Sequence, residues 1–476
     1  MVTALPKIEL KLFNTLTRRK EVFKPLKGKT VLYYTCGPTV YDFAHIGNFA
    51  TYVRQDLLKR VLEYFGYRVK HVMNTTDVDD KTIRRSKELG WSLKKLTKFY
   101  TREFLRDMRA LNIKPPTKLI PATSEIPEMI RVIKALIKKG FAYVREGSVY
   151  FSVKKFREYG KLSGIKLKDL KPGARVDVDE YGKENPADFA LWKASSEEEI
   201  RRRIYWLSPW GKGRPGWHIE CSVIAMKHLG KTIDIHSGGI DLIFPHHENE
   251  IAQSEAYSGK QFVRFWVHCE HILVNGKKMS KSLGNFYTLR DLLNKGYNPL
   301  AVRLLFLSGH YRKQLNFTFD ALKQAERNLE TLVNFLQRLK EIREKGYSEA
   351  VSRMTEEMRE DFLRAIANDL DTPRAFAALF DFVHEVNKLA DENKVPKRNA
   401  REIIKVVLDL DRILGLNLKK AVRARIPKEI AKLLEEREKL RREKRYAEAD
   451  AIREKIRAMG YEVEDTPSGP KVRKRI

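Results

Sequence analysis

A strand, a turn, a helix and a second strand follow one another near the start of the chain, and this order most constrains its fold. The run TVLYYTCGP (30–38) is rich in β-branched and aromatic residues and ends at Gly-Pro, which is typical of a buried strand and a turn. Apolar residues recur at helical spacing over 48–64, and YRVKHVMN (67–74) indicates the next strand. Such a βαβ unit predicts a parallel sheet whose ligands bind beyond the carboxyl ends of the strands.

The rest of the chain contains an insertion, a return to strands and a long helical part. Residues 121–205 mix a helical piece, a short strand and a Gly-, Lys- and Pro-rich stretch, and strand-like runs return at 231–239 and 261–269. After about Tyr311 the pattern is almost wholly helical until a short terminal hairpin. We therefore predict an α/β fold: a Rossmann-like parallel-sheet domain with an inserted connective domain, an α-helical bundle and a small basic C-terminal module. The predicted boundaries are 1–120 and 206–290 for the two halves of the sheet domain, 121–205 for the insertion, 291–330 for a linking region, 331–415 for the bundle and 416–476 for the C-terminal module.

The composition favours a cytoplasmic protein that binds nucleic acid. The chain carries 93 Lys and Arg residues against 62 Asp and Glu residues, a formal net charge of +31. A heat-adapted surface would enrich both signs, whereas this basic excess along the whole chain favours a polyanionic partner. The three cysteines, Cys36, Cys221 and Cys269, are too few for a disulfide framework. No run has the pattern of a signal peptide or the length of a membrane span, so we expect a cytoplasmic protein without membrane association.

Two short motifs carry the first functional signal. HIGN (45–48) lies at the junction of the first strand and its helix, and KMSKS (278–282) lies far downstream. Together they resemble the two signatures of class I aminoacyl-tRNA synthetases, although KMSKS alone could be a solvated basic loop. The family pattern commonly ends in a second histidine. Asn48 keeps a hydrogen-bond donor without a charge, so we expect retained function with a smaller electrostatic contribution. The resemblance implies catalytic roles for His45, Asn48, Lys278 and Lys281, and ATP contacts from these residues and from Gly47 and Ser280.

The chemistry of adenylate formation fits these residues independently of the resemblance. The reaction places extra negative charge on a phosphate, so cations and N–H donors must surround it. His45 and the N-terminus of the following helix can donate to the ATP phosphates, and Gly47 lets the nucleotide approach the backbone. Lys278 and Lys281 lie in a loop that could close over the pyrophosphate, with Mg²⁺ as its counter-ion.

Four longer segments narrow the resemblance. YYTCGPTVYDFAHIGN (33–48), NTTDVDDK (74–81), GRPGWHIECS (213–222) and GGIDLIFPHHENEIAQSE (238–255) resemble cysteinyl-tRNA synthetases in particular, over nearly the whole chain. The resemblance implies one Zn²⁺ ion per chain, bound by Cys36, Cys221, His246 and Glu250. It also implies that Thr76, Trp217 and His236 surround the bound L-cysteine, with core packing as the alternative for the last two.

The residue types support such a metal site. Two thiolates, an imidazole and a carboxylate form a sensible tetrahedral zinc set. If PHHENEIAQ begins a helix, His246 and Glu250 share one face of it. Cys36 ends a strand at the ligand-binding edge of the sheet, which puts the metal beside the amino-acid pocket.

Two other patterns compete with this metal site, and a third resembles a nucleotide-binding motif. His247 and Glu248 could replace their neighbours, but a one-residue shift points to another face of a helix. HCEH (268–271) contains three ligand types, yet it follows a strand-like run, so we interpret it as strand-end and nucleotide-pocket residues. GKGRPG (211–216) matches a dinucleotide fingerprint, but no strand is predicted before it and it contains a proline, so we interpret it as a loop leading to Trp217 and Cys221.

The resemblance finally implies a reaction and its partners. The cysteine carboxylate attacks the α-phosphate of ATP, and the 2′-hydroxyl of the terminal adenosine of tRNA(Cys) then takes the acyl group. A thiol bound to zinc separates cysteine from serine better than shape does, so we predict that no editing domain is needed. The bundle and the C-terminal module would contact the tRNA backbone and anticodon.

Two other functions remain open at this point. A mycothiol-pathway cysteine ligase would share the activation site, but the long basic helical tail argues against a small amino-sugar acceptor. A non-catalytic, zinc-stabilised RNA-binding protein is disfavoured by the intact lysines of KMSKS.

Overall fold

The computed structural model describes residues 8–166, 185, 187–280, 282–423, 428–466 and 469–474. Lys281, with its predicted ATP contact, lies outside these residues. The strands are β1 (Lys11–Asn14), β2 (Arg19–Val22), β3 (Thr30–Thr35), β4 (Arg68–Thr75), β5 (Lys118–Pro121), β6 (Ala142–Arg145), β7 (Ser148–Phe151), β8 (Phe189–Ala194), β9 (Trp206–Ser208), β10 (Gly211–Pro215), β11 (Ile233–Gly239), β12 (Val263–Cys269), β13 (Ile272–Val274), β14 (Lys277–Lys278), β15 (Leu315–Phe317), β16 (Tyr461–Thr466) and β17 (Gly469–Lys474). The α-helices are α1 (Ile46–Tyr64), α2 (Asp80–Glu88), α3 (Leu93–Ala110), α4 (Ile126–Lys138), α5 (Glu197–Arg201), α6 (Trp217–Leu229), α7 (Glu248–Ser258), α8 (Leu289–Asn294), α9 (Pro299–Ser308), α10 (Phe319–Glu341), α11 (Glu349–Ala367), α12 (Thr372–Asp391), α13 (Lys397–Leu414), α14 (Leu418–Arg423), α15 (Lys428–Arg442) and α16 (Tyr446–Ala458).

The central sheet is parallel, as the βαβ pattern predicts. Its five strands lie in the order β12-β11-β3-β4-β5, and each neighbouring pair is parallel. The predicted strand–helix–strand unit is β3, α1 and β4, and the later runs at 231–239 and 261–269 form β11 and β12 of the same sheet. The predicted α/β fold class is therefore confirmed.

A second sheet lies between β5 and β11 in sequence and is antiparallel, in the order β6-β7-β8-β10-β9. It packs on α4, α6 and α7 through a buried apolar cluster that includes Met129, Phe151 and Val223. The interpretation of 211–216 as a loop is wrong, because β10 pairs with both β8 and β9. A β-carbon at Gly213 would overlap the Trp192 indole and the Lys193 carbonyl, so close strand packing explains the glycine.

The chain forms two compact units. One contains the described residues within Met1–Lys295, Phe306–Phe317 and Glu360–Ala378, and the other contains those within Gly296–Leu305, Thr318–Arg359 and Leu379–Ile476. The helical prediction after Tyr311 overlooks one short strand, β15, which pairs in parallel with β13.

In the second unit, amphipathic helices bury their apolar faces against one another. Helix α10 packs on α13 and α14, and the buried guanidinium of Arg303 donates to the Leu414 carbonyl at 2.7 Å. Helices α15 and α16 pack together and cover the predicted terminal hairpin, β16–β17, with Ile430, Ile456 and Val463 in their core. Among the described residues, no helix is both long and apolar enough to cross a membrane.

Candidate metal centre and nucleotide signatures

The predicted metal ligands come together at the carboxyl end of β3. Cys36 is the first residue after this strand, and Cys221 lies in α6. His246 lies in the irregular turn Ile243–His247 before α7, and Glu250 lies in the first turn of α7. All four side chains are buried. Residues from three separate parts of the sequence thus meet at the ligand-binding edge of the parallel sheet.

The distances between these side chains suit a shared ion. The two Sγ atoms of Cys36 and Cys221 are 3.8 Å apart. Oε1 of Glu250 lies 3.0 Å from Nε2 of His246 and 3.9 Å from Sγ of Cys36. Two atoms that each lie about 2.0–2.3 Å from a zinc ion are separated by roughly 3–4 Å. Cys36, His246 and Glu250 therefore lie at metal-ligand spacing, and Cys221 adjoins them through its contact with Cys36.

His247 also belongs to this cluster. Its Nε2 lies 3.4 Å from Sγ of Cys36. The ligand atoms of Cys36, His246, His247 and Glu250 all lie within 4.8 Å of one another. The argument that a one-residue shift turns His247 to another helix face is wrong here, because the residues before it do not form a regular α-helix and Phe244 has an extended backbone (φ −135°, ψ 131°).

Glu248, the other predicted competitor, binds elsewhere. Its buried carboxylate accepts hydrogen bonds from the backbone N–H groups of Gly160 (2.9 Å), Leu162 (3.1 Å) and Ser163 (2.7 Å). These contacts fasten a turn of the inserted segment to the start of α7. Glu248 thus stabilises the helix that carries Glu250 and leaves the metal cluster to its neighbours.

The protonation states of these side chains suit a divalent ion that prefers sulfur and nitrogen ligands. Nδ1 of His246 is hydrogen-bonded to His218 at 2.8 Å, and its Nε2 faces Oε1 of Glu250 at 3.0 Å. Although burial opposes charge, Glu250 and Cys221 raise the pKa of His246 to about 10. Burial raises the pKa of Cys36 well above its ordinary value. Burial also opposes ionisation of Cys221, but a hydrogen bond with Cys36 lowers its pKa to about 6. A metal ion would replace the protons on Cys36 and His246.

Thr76 is held at the edge of this cluster. Its hydroxyl donates to Oε2 of Glu220 at 2.7 Å and accepts from Nδ2 of Asn74 at 3.3 Å. Oδ1 of Asn74 in turn accepts the backbone N–H of Gly37, next to Cys36, at 2.8 Å. Glu220 is adjacent to Cys221 in α6, so the Thr76 hydroxyl is fixed from both sides of the metal cluster. Asn74 and Glu220 lie in two of the family-like segments, but the sequence predicts no role for either.

Trp217 and His236 contact the predicted ligands directly. The Trp217 indole stacks on the His246 ring with a centroid distance of 4.2 Å. Nε2 of His236 lies 2.9 Å from Oε2 of Glu250, and its ring stacks on Trp266 at 4.6 Å. Burial raises the pKa of Glu250, but the two imidazoles of His236 and His246 lower it to about 2. The three residues predicted for the cysteine pocket thus lie around the metal cluster.

The HCEH segment does not form a separate cluster. Within the described part of the chain, only one group of His, Cys, Asp and Glu side chains could hold a metal, and it is the group that includes Cys36. His268 bonds to Nδ1 of His247 and to the Thr15 hydroxyl, each at 2.8 Å. Cys269 is buried at the end of β12. His268 therefore orients His247, which the motif spacing could not reveal.

The two class I signatures meet in the structure. His45 is the N-cap of α1: its Nδ1 accepts the Asn48 N–H at 3.2 Å, and Oδ1 of Asn48 accepts the His45 N–H at 3.3 Å. A β-carbon at Gly47 would lie 3.1 Å from Cε of Met279, the second residue of KMSKS. Burial lowers the pKa of His45 to about 4, so its ring is neutral at pH 7.

The described residues of the downstream signature are hydrogen-bonded to Asn285 and to one another. Lys278, in β14, is exposed. The side chain of Asn285 accepts from the Ser280 N–H at 2.8 Å and donates to the Lys278 carbonyl at 3.2 Å. The Ser280 hydroxyl lies 2.8 Å from that of Ser282. Asn285 therefore fixes the backbone of Lys278 and Ser280, and the Lys278 side chain stays accessible to solvent.

Comparisons with known proteins agree with these features. A family model described as the class I (C) tRNA synthetase catalytic domain matches residues 22–327. A DALR-domain model matches 356–419, and a model described as the cysteinyl-tRNA ligase anticodon-binding domain matches 423–473. The solved structure of Mycobacterium tuberculosis methionyl-tRNA synthetase with methionyl-adenylate has a TM-score of 0.61 at 15% identity, covering 83% of this chain and 93% of that one. That likeness supports the fold alone.

Curated relatives are similar to this chain over nearly its whole length. The cysteine–tRNA ligase of Chlamydia felis is 50% identical over 472 residues, which cover 98% of each chain. The cysteine–tRNA ligase of Protochlamydia amoebophila is 48% identical over 474 residues, which cover 99% of each chain. The chain therefore belongs to the cysteine–tRNA ligase family of class I aminoacyl-tRNA synthetases.

Proposed function

We propose that this chain activates L-cysteine with ATP, transfers it to tRNA(Cys), and selects the amino acid through one Zn²⁺ ion. The single observation that carries the proposal is the buried cluster of two sulfurs, an imidazole and a carboxylate at the ligand-binding edge of the sheet. A zinc ion in this set would offer a site that a thiol ligates as a thiolate and that an alcohol ligates weakly.

Cys36, Cys221, His246 and Glu250 are the proposed ligands. His247 would instead donate its Nε2–H to Sγ of Cys36, 3.4 Å away, because its Nδ1 is hydrogen-bonded to His268. Because Nδ1 of His246 is hydrogen-bonded to His218, its Nε2, which faces Glu250, is the nitrogen available to the metal. Such outer hydrogen bonds commonly orient metal ligands and set their basicity.

The rest of the pocket positions the substrate for two transfers. Thr76, Trp217 and His236 would surround the bound cysteine, whose carboxylate attacks the α-phosphorus of ATP and releases pyrophosphate. The neutral His45 ring and the first N–H groups of α1 would donate to the phosphates, with Mg²⁺ and the lysines of KMSKS balancing the leaving charge. The 2′-hydroxyl of the terminal adenosine then attacks the acyl carbon, and AMP leaves.

The remaining predictions concern partners and organisation. The helical part and the C-terminal module would bind the tRNA stem and anticodon, and the match over 423–473 argues against the mycothiol-pathway alternative. We propose a cytoplasmic location. We also propose the domain boundaries predicted from the sequence, which follow residues 120, 205, 290, 330 and 415.

Two measurements on matched variants test the function. Wild-type protein should exchange labelled pyrophosphate into ATP with cysteine but not with serine, and should contain one zinc per chain by elemental analysis. Cys221→Ser should lose both zinc and exchange, whereas Cys269→Ser, which changes the third buried cysteine outside the cluster, should keep both. Equal zinc content and equal exchange in the two variants would contradict the proposal.

A further inference from the structure

The chain that follows the KMSKS signature is bonded directly to the HIGN signature. The backbone N–H of Ile46, the first residue of α1, donates to the Tyr287 carbonyl at 2.9 Å, and His45 forms an isolated antiparallel bridge with Thr288. The ring of Phe286 lies edge-on to the ring of His45, with the two centroids 5.3 Å apart. These contacts keep the chain that leaves the downstream signature beside the start of α1.

The same segment fixes the backbone of KMSKS. Asn285 accepts the Ser280 N–H at 2.8 Å and donates to the Lys278 carbonyl at 3.2 Å. The segment then runs into α8, where the hydroxyl of the N-cap Thr288 accepts the Asp291 N–H at 3.3 Å. The contacts that hold α8 in place therefore also hold the backbone of the downstream signature.

Arg290 reaches from the first turn of α8 to α3. Its Nη2 lies 2.6 Å from Oε2 of Glu103 and 3.1 Å from Oδ1 of Asp107. The two carboxylates are one turn apart on α3, and their side chains are only 10% and 4% exposed. A guanidinium shared by two shielded carboxylates is held more firmly than a pair of exposed surface charges.

The same guanidinium covers Phe43, which lies just before the HIGN signature. The Cζ atom of Arg290 is 4.6 Å from the centre of the Phe43 ring, within the range of a cation–π contact. Phe43 packs edge-on against Tyr100 of α3 at 5.3 Å, and Phe104 of α3 packs against Tyr52 of α1 at 5.1 Å. Arg290 is thus bound to side chains that are themselves packed around α1, the helix that begins with HIGN.

We propose that Arg290 is a positioning residue for ATP: by pairing with the carboxylates of α3 and covering Phe43, it holds the KMSKS backbone where both signatures can bind the phosphates. The described contacts of its guanidinium lie outside both signatures. Arg290 therefore acts through the backbone of 285–288. The inference rests on the proposed function only for the ATP contacts of the two signatures, and it does not depend on which amino acid is activated.

The expected effect depends on the fraction of the protein that has KMSKS in place before ATP binds. The apparent affinity for a ligand falls in proportion to this fraction, whereas protein that has already bound the ligand is all in the competent state. Arg290→Ala should therefore raise KM for ATP in pyrophosphate exchange about tenfold, with kcat and KM for cysteine unchanged. Equilibrium dialysis with ATP and Mg²⁺, without cysteine, should show the same loss of affinity.

Arg102→Ala is the matched control. Arg102 also pairs with Glu103, at 3.1 Å, and also lies over a phenylalanine, with its Cζ 5.2 Å from the centre of the Phe99 ring. These contacts join residues of α3 to one another and do not reach α8, so this variant should keep the wild-type KM for ATP. Arg290→Lys keeps the charge without the planar fork and should restore part of the affinity for ATP.

Glu103→Gln tests the pairing from the side of α3. It should raise KM for ATP several-fold, less than Arg290→Ala, because Asp107 remains as a partner. In the double variant Glu103→Gln, Arg290→Ala, the two changes should not add, since both remove the same contact. Urea unfolding of each variant verifies that it is folded under the conditions of the assay.

Three results would overturn the positioning role: an unchanged KM for ATP in Arg290→Ala, a loss confined to kcat, or an equal rise of KM in Arg102→Ala. Absence of cysteine-dependent exchange in the wild type would instead contradict the proposed function. The dialysis comparison of wild type, Arg290→Ala and Arg102→Ala would then still decide the role of Arg290, because it requires only ATP.

Discussion

His45 and Asn48 cap each other at the start of α1: Nδ1 of His45 accepts the Asn48 N–H at 3.2 Å, and Oδ1 of Asn48 accepts the His45 N–H at 3.3 Å. This reciprocal pair is a capping box that closes the first turn of the helix. It also explains how asparagine serves at the last position of the first signature: Asn48 shapes the helix terminus through its side-chain oxygen.

Substitutions of Asn48 should separate stability from catalysis. Asn48→Ala removes the acceptor and should lower the free energy of unfolding by about 1 kcal/mol, as for other lost caps. Asn48→Asp keeps the acceptor and should remain near wild-type stability, but its charge opposes the ATP phosphates and should lower the exchange rate at least tenfold. Urea unfolding and pyrophosphate exchange measure the two effects. Equal stability of the two variants would contradict the capping role.

The pH dependence of stability should report the state of the His45 ring. Burial lowers its pKa from 6.5 to about 4, so between these values the unfolded chain binds a proton that the folded chain does not. The contribution of His45 to stability is therefore complete above about pH 6.5 and is lost as the pH falls towards 4.

The matched variant is His45→Asn, which keeps a good N-cap and cannot titrate. Its free energy of unfolding should fall less steeply than that of the wild type between pH 6.5 and 4, while the two curves run parallel above pH 7. Identical slopes over the acidic range would show that the ring is protonated in the folded protein.

Substitutions of Glu248 and Glu250 in α7 should change different properties, the first stability and the second zinc content. Glu248→Gln weakens three hydrogen bonds to the backbone at 160–163 and should lower the free energy of unfolding by roughly 3 kcal/mol, with zinc content unchanged. Glu250→Gln should lose zinc. Elemental analysis and denaturant titration of both purified variants test this contrast, and loss of zinc from Glu248→Gln alone would reverse the two assignments.

Much of the fold could be predicted from the sequence because its signals are local. The βαβ unit, the strand at 261–269 and the terminal hairpin follow from periodicity and turn residues over short windows. The strand β10 was missed because its glycines and proline resemble a loop, and the Trp192 indole that requires Gly213 lies in another strand.

The candidate site was also predicted only as far as local sequence patterns allow. Motifs bring Cys36 and Glu250 into consideration, and the structure places them together. The choice between His246 and His247 could not be made by helical spacing, because an irregular turn precedes α7. The contact of Glu220 with Thr76 is tertiary, so no local pattern predicts it.

The proposed selection of cysteine depends most on the direct bond between the metal and the sulfur of the substrate. The protein should be prepared with Co²⁺ in place of Zn²⁺, and its thiolate-to-cobalt charge-transfer absorption recorded during titration with L-cysteine and, separately, with L-serine. We expect cysteine to increase this absorption, with saturation near one equivalent per metal, and serine to leave it unchanged. An absorption that stays constant while cysteine still supports pyrophosphate exchange would contradict it.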